Sequence, residues 1–128
     1  MFKISHELPV NMLSRSFEIN DYEYCLPHLL DENPIYRKHF EDAKESGSYI
    51  IMDNSLHELG KAYDTKRLLH WVNHLEPNEF IVPDVWQNKS LTLVNAKRWL
   101  DIELPENTTK VAVVQASDYA EAYECYHI

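Results

Sequence analysis

Glycine, cysteine and basic residues are all scarce in this chain. The two glycines, Gly47 and Gly60, are too few and too far apart to form a phosphate-cradling glycine loop. The two cysteines, Cys25 and Cys125, lack the paired spacing of a disulfide framework or a cysteine zinc site, and they fit a reducing cytoplasm. Lysine and arginine number 12 against 21 acidic residues, a formal net charge of −9. This balance argues against autonomous nucleic-acid binding, which needs a basic face.

Long hydrophobic runs are also missing. No apolar stretch approaches the length needed to cross a bilayer, and no basic segment followed by an apolar one opens the chain. We therefore expect a cytoplasmic protein with no membrane partner. Its 128 residues suffice for one domain with a real core.

Short apolar stretches alternate with amphipathic segments along the chain. Strands are predicted at 2–6, 22–30, 49–52, 80–82 and 110–114, and helices at 9–15, 35–46, 66–75, 88–100 and from Ser117-Asp118 onward. From residue 22 the order is strand then helix, four times over, which requires a parallel sheet with right-handed crossovers. This α/β pattern predicts either half of an eight-stranded barrel or a small open doubly wound sheet.

Two acids stand where predicted strands end. Asp53 follows the apolar run Ile50-Ile51-Met52, and Asp84 follows Phe80-Ile81-Val82-Pro83. The carboxyl ends of parallel strands are where chemistry collects in β/α folds, so these acids form a candidate base-binding or acid/base pair. The structural alternative is that Asp53 caps a turn and Asp84 caps the following helix.

Three short motifs resemble the tRNA-guanine transglycosylase superfamily, with the closer likeness to its phage and bacterial branch, which inserts 7-deazaguanine bases into nucleic acid. Met52-Asp53-Asn54-Ser55 is similar to the family's Asp-Ser-Gly-Gly strand end, and Val82-Pro83-Asp84 to its Phe-Asp segment. Val113-Val114-Gln115-Ala116 is similar to its Val-Gln-Gly. The likeness covers residues 22–125. It implies a (βα)4 parallel half-barrel of the TIM-barrel type, preceded by an N-terminal extension at 1–21.

The resemblance implies roles for three residues. Asp53 matches the acid near the reacting base and is the candidate catalytic residue. Asp84 matches the acid that accepts hydrogen bonds from the heterocycle's amino and ring N–H groups, and Gln115 matches the glutamine that contacts its carbonyl. The chemistry agrees, because carboxylates accept from N–H donors and an amide can donate to a carbonyl. Further candidates for substrate binding near this rim are Asn54, His57, Glu58 and His28. A buried structural histidine is an equal alternative for His28, and a solvated loop position is the alternative for His57 and Glu58.

The chain also departs from the family pattern. Ser55-Leu56 and Ala116 replace glycines, and no residue here matches the family's nucleophilic aspartate. That aspartate, the zinc-binding cluster and most of the basic surface belong to the second half of the barrel, so no cofactor is expected in this chain. Because the chain stops within the helix of its fourth predicted strand–helix unit, we expect a fragment or a truncated relative of a longer protein.

Two functions follow as hypotheses. The first is base exchange in tRNA or DNA by a transglycosylase-like barrel, with nucleic acid engaged only by the complete barrel. The second is a non-catalytic half-barrel that binds a purine-like ligand or a protein partner, with self-association into a homo-oligomer. Its open sheet edges favour self-association. The last helix carries a tyrosine stripe that is typical of packing but that would favour self-association if the second half-barrel is missing: Tyr119, Tyr123 and Tyr126.

Two other features have alternative interpretations. Trp86 is suited either to stacking on a flat base or to packing in the core or in an interface. His70 and His74 lie one turn apart on a predicted helix, a spacing that suits metal binding, although no third ligand is evident. A solvated helix face is the favoured interpretation of these histidines, and no metal site is predicted.

Overall fold

Four short parallel strands form the centre of the molecule. The structure is a computed structural model that describes residues 1–128. The strands are β1 (Glu23–Cys25), β2 (Ile50–Met52), β3 (Glu79–Ile81) and β4 (Thr109–Val111), and they lie in the sheet in that same order. Each neighbouring pair is parallel. Each strand is followed along the chain by its neighbour in the sheet, and right-handed crossovers between such strands place all the helices on one face. The arrangement is therefore a (βα)4 half-barrel, without the reversal of strand order that marks a doubly wound sheet.

Helices fill every connection between the strands. A 3-10 turn (Val10–Arg15) and α1 (Ser16–Ile19) precede the sheet. The helices after β1 are α2 (Pro27–Glu32), α3 (Pro34–Glu45), α4 (Leu56–Leu59), α5 (Thr65–Leu75), α6 (Lys89–Leu100) and α7 (Tyr119–His127). None of them combines the length and apolar composition that a bilayer crossing requires.

The longer helices begin at side chains that can accept from free backbone N–H groups. Asn33 caps α3 and is followed by Pro34 at the first helical position, which needs no N–H partner. Asp64, Asn88 and Asp118 cap α5, α6 and α7 in the same way. These caps explain why the predicted helix starts lie within a residue or two of the observed ones.

The core lies between the sheet and its helices. Alternate strand residues such as Cys25, Met52 and Phe80 are fully buried against helix residues that include Phe40 and Trp99. The intervening residues Tyr24, Ile51 and Ile81 stay half-buried, because successive side chains of a strand point to opposite faces. In a complete barrel that second face would be the interior.

Three predicted strands are wrong in whole or in part, and the one predicted at 110–114 ends at Val111. Residues 2–6 form no strand, because they gain no ladder partner; their backbone bonds instead with Asp21 and the Asn20 side chain. The strand predicted at 22–30 ends at Cys25, and α2 starts at Pro27. Proline is well tolerated at a first helical position, so Pro27 begins a helix within the segment that was predicted as a strand.

Candidate functional site

An open pocket at the carboxyl edge of the sheet is lined by Tyr24 of β1 and by residues that follow β2, β3 and β4. Its volume is about 320 Å³. Of the seven predicted site residues, only His28 does not line this pocket. The other six lie in its wall: Asp53, Asn54, His57, Glu58, Asp84 and Gln115. The parallel register of the strands accounts for this convergence, since every strand ends at the same edge.

Asp84 lies between two side-chain amides that reach it from neighbouring strand ends. Asn54 Nδ2 donates to Asp84 Oδ1 at 2.8 Å, and Gln115 Nε2 donates to Asp84 Oδ2 at 2.7 Å. Asp84 is only 5% exposed. Burying a carboxylate is costly unless its oxygens are hydrogen-bonded, so these two donors make its position possible.

Backbone N–H groups fix the orientation of both amides. The Asn54 oxygen accepts from the backbone of Leu56 at 2.9 Å, and the Gln115 oxygen accepts from the backbone of Gln87 at 2.9 Å. Each amide must therefore turn its NH₂ group toward Asp84. A carboxylate offers roughly four acceptor positions, so Asp84 keeps some for a ligand in the pocket that it lines.

Asp53 is held by different hydrogen-bond donors from those of Asp84. It directly follows β2, and its side chain accepts from the backbone N–H of Ser55 at 3.2 Å. Burial raises the pKa of Asp53 above its ordinary value, and the nearby Glu58 carboxylate acts in the same direction. Burial and the Asp53 charge also raise the pKa of Tyr24, which lies beside it. A half-buried carboxyl with a raised pKa is suited to proton transfer.

The turn after Asp53 has an unusual backbone. Ser55 is completely buried at φ +63°, in the left-handed region where the resembled family has glycine. Its hydroxyl forms a 2.8 Å hydrogen bond with His28 Nδ1. His28 lies on α2, since the strand that we expected to carry it ends at Cys25. Its geometry is that of a buried support for the Ser55 turn, behind the wall of the pocket.

Trp86 stands at the mouth of the pocket. It is 65% exposed, so it is not the core residue that one interpretation of the sequence expected. It also borders a second cavity with Leu56, His57 and Gly60. An exposed indole beside a polar pocket is a surface on which a flat ring can stack.

Two polar wall residues, Tyr24 and Glu7, were not predicted from the sequence. Tyr24 precedes the end of β1 and faces the half-buried side of the sheet, which period-two alternation could have indicated. Glu7 belongs to the N-terminal extension, and no local pattern marks it as part of the pocket. With Asp53 and Glu58 it makes the mouth of the pocket acidic.

Other polar clusters have structural partners. His70 and His74 stack on α5, His74 Nε2 bonds to Glu41 at 2.9 Å, and no group of three or more ligand-type side chains is arranged to hold a metal ion. A larger groove of about 560 Å³ lies between the 3-10 turn and α3, away from the strand ends. Behind it, Glu23 accepts hydrogen bonds from Ser16 and His39, so this buried cluster satisfies its own polar groups.

Comparison with known proteins returned no relative: the chain matches no protein-family model, no curated protein and no solved structure.

Proposed function

We propose that this chain binds a 7-deazaguanine-type base in the rim pocket, as the base-recognising half of a transglycosylase-like barrel that exchanges bases in tRNA or DNA. The observation that carries the proposal is the buried Asp84 carboxylate, which lines the pocket and is held between Asn54 and Gln115 by one hydrogen bond to each of its oxygens. The resemblance of the three strand-end motifs to the transglycosylase superfamily supports the same assignment.

The recognition chemistry follows from the edge of the base. A guanine-type ring presents an amino group and a ring N–H side by side, and a carboxylate accepts such a pair in a charge-assisted contact. The exposed Trp86 indole provides a flat apolar surface for the ring face. Aromatic stacking combined with edge hydrogen bonds is the usual way in which proteins hold an unstacked base.

Asp53 is assigned to the chemistry beside the base. Its raised pKa and half-buried position suit a group that holds or transfers a proton near the ribose. The nucleophile that attacks the ribose carbon, the zinc site and the basic nucleic-acid surface are proposed to come from the second half of the barrel. With a net charge of −9, this chain alone contributes base recognition and not backbone binding. Its cysteines are both free, in keeping with the cytoplasm as the proposed compartment.

Calorimetric titration with 7-deazaguanine tests the proposal. We expect binding by the wild-type chain and weaker binding of 7-deazaadenine, whose edge has a ring acceptor where 7-deazaguanine has an N–H donor. Trp86→Ala should weaken binding about tenfold, within the range for base stacking. Tyr49→Ala is the matched control, since this half-exposed aromatic lies at the opposite end of β2. Equal affinity for the two bases would contradict the assignment of Asp84.

A second copy of the chain is the proposed protein partner. The outer edge of β4 is unpaired, and an apolar groove beside it is lined by α6, α7 and the segment after β4. Large apolar side chains stand exposed there, among them Leu100, Val114, Tyr126 and Ile128. Sedimentation over a range of concentrations tests this, with Val114→Lys expected to shift the chain toward the monomer. A wild-type chain that stays monomeric at high concentration would contradict it.

A further inference from the structure

We infer that Gln115 is a positioning residue that links the base-reading carboxylate of Asp84 to the loop that carries Trp86. This inference rests on the proposed function. It gives Gln115 a role different from the base-carbonyl contact that the family resemblance implies.

The two ends of one amide carry the link. Gln115 Nε2 donates to Asp84 Oδ2 at 2.7 Å, and Gln115 Oε1 accepts from the Gln87 backbone N–H at 2.9 Å. Gln115 itself is buried, at 9% exposure. Its oxygen and one N–H of its NH₂ group are therefore engaged with the segment after β3. A ligand contact would have to use the remaining N–H.

The loop around Trp86 has two anchors of different origin. On one side, the Val85 backbone N–H donates at 2.9 Å to the hydroxyl of Thr92, a residue of α6 in the same βα unit. On the other side, Gln87 turns through φ +50° and is held by Gln115, which lies after β4. Trp86 lies between these two hydrogen bonds, so the bond from Gln115 fixes the position of the indole relative to the segment after β4.

A shared positioning residue has a consequence for selectivity. If Asp84 is to read the edge of a base while Trp86 covers its face, the two groups must keep a fixed relation to each other. One rigid amide that bonds to Asp84 and to Gln87, on either side of Trp86, provides that relation without touching the ligand. Loss of the amide should therefore disturb Trp86 even when no ligand is present, whereas a simple base contact would not.

Labelling with 5-fluorotryptophan gives a direct measurement in the free protein. The chain has three tryptophans, and Trp71 and Trp99 are buried at 4% and 2% exposure. A Trp86→Phe variant assigns the third ¹⁹F resonance. Gln115→Met keeps the side-chain volume but removes both hydrogen bonds. We expect it to shift or sharpen the Trp86 resonance, leave the other two in place, and weaken 7-deazaguanine binding at least tenfold.

Gln115→Glu separates the two ends of the link. A glutamate oxygen can still accept from Gln87, so the Trp86 resonance should stay where the wild type has it. Its other oxygen faces Asp84 as a like charge, so base affinity should still fall at least tenfold. Ser90→Ala, an exposed change on the same loop-to-helix segment, is the control and should alter neither measurement.

The outcomes decide between the alternatives. The inference is overturned if the Trp86 resonance is unmoved in Gln115→Met, if all three resonances move together, or if Gln115→Glu moves Trp86 as Gln115→Met does. Should Gln115→Met fail to fold, Gln115→Glu gives the deciding comparison. Failure of the wild-type chain to bind any base would overturn the proposed function instead, while the resonances of the free variants would still decide the Gln115–Trp86 link.

Discussion

The Asn54 side chain donates a 2.8 Å hydrogen bond to Asp84, joining the turn after β2 to the turn after β3. The same NH₂ group donates to the carbonyl of Val82 at 3.0 Å. Asn54 is 1% exposed and Asp84 is 5% exposed, so this contact is made out of water. A neighbouring strand end, and not the local sequence around Asp84, thus supplies one of the donors that allow its burial.

Asn54→Ala should destabilise the protein and weaken base binding together. The substitution leaves a buried carboxylate oxygen and the Val82 carbonyl without their donor. Hydrogen bonds to charged groups contribute about 1.5–3 kcal/mol, so we expect a loss of about 2–3 kcal/mol in the free energy of unfolding. Urea denaturation measures it.

Asn73→Ala is the matched control for this experiment. Asn73 bonds only to a carbonyl on the exposed side of α5, so its replacement should cost little. A loss no larger for Asn54→Ala than for Asn73→Ala would contradict the importance of the Asn54–Asp84 contact.

Asp84→Asn should lower affinity for 7-deazaguanine more than Asp53→Asn. An amide at position 84 would turn one NH₂ group toward the donors of Asn54 or Gln115, or toward those of the base. The expected loss is about 1.5–3 kcal/mol of binding free energy, the range for hydrogen bonds to charged groups. Asp53, assigned to the ribose side, should change base affinity less. Calorimetry of both variants measures the difference, and equal losses would contradict this division of roles.

Glu76→Gly should stabilise the protein. Glu76 ends α5 in the left-handed region at φ +48°, where glycine lacks the steric cost of a Cβ atom. Its 3.6 Å ion pair with Lys44 is exposed and contributes little. The expected gain is about 1 kcal/mol in the free energy of unfolding, measured by urea denaturation. Glu45→Gly, at the end of α3 with ordinary helical geometry, should instead destabilise.

Asp31 should make stability depend on acid pH. Hydrogen bonding to Arg67 lowers the pKa of Asp31 to about 2 in the folded protein, below the value of about 3.9 in an unfolded chain. The contribution of ionised Asp31 to folding stability is therefore fully present above about pH 4 and is lost as the pH falls toward 2. Asp31→Asn should cost about 1 kcal/mol at pH 7, reduced by solvent screening, and almost nothing at pH 2. Denaturation at both pH values measures the loss of unfolding free energy in Asp31→Asn. An equal loss at the two pH values would contradict the contribution of the ionised Asp31–Arg67 contact.

The elements of the fold were largely predictable from local pattern. The runs at 49–52 and 80–82 gave strands within a residue of the expected places, because short apolar stretches between turn residues are typical of buried parallel strands. The run at 110–114 gave a strand that already ends at Val111. The same reasoning wrongly predicted a single strand over residues 22–30. Pro27 begins a helix almost directly after a strand of only three residues, and the apolar pattern continues across that boundary without marking it.

The candidate site was only partly contained in the sequence. The positions of Asp53, Asp84 and Gln115 after apolar runs placed them at one edge, since every strand of a parallel sheet ends at the same side. Which atoms meet there was decided by the tertiary structure. The amides of Asn54 and Gln115 turn toward Asp84 only because backbone N–H groups of Leu56 and Gln87 occupy their oxygens.

Two further positions depended on the tertiary structure alone. Glu7 reaches the pocket from the extension by chain packing, and His28 lies behind the wall because a helix starts at Pro27. The succession of strands and helices along the chain and the chemical type of each side chain are local properties of this sequence, whereas the order of the strands in the sheet is not. Hydrogen-bond partners and burial depend on segments that are about 30 residues apart, a separation that local periodicity does not encode.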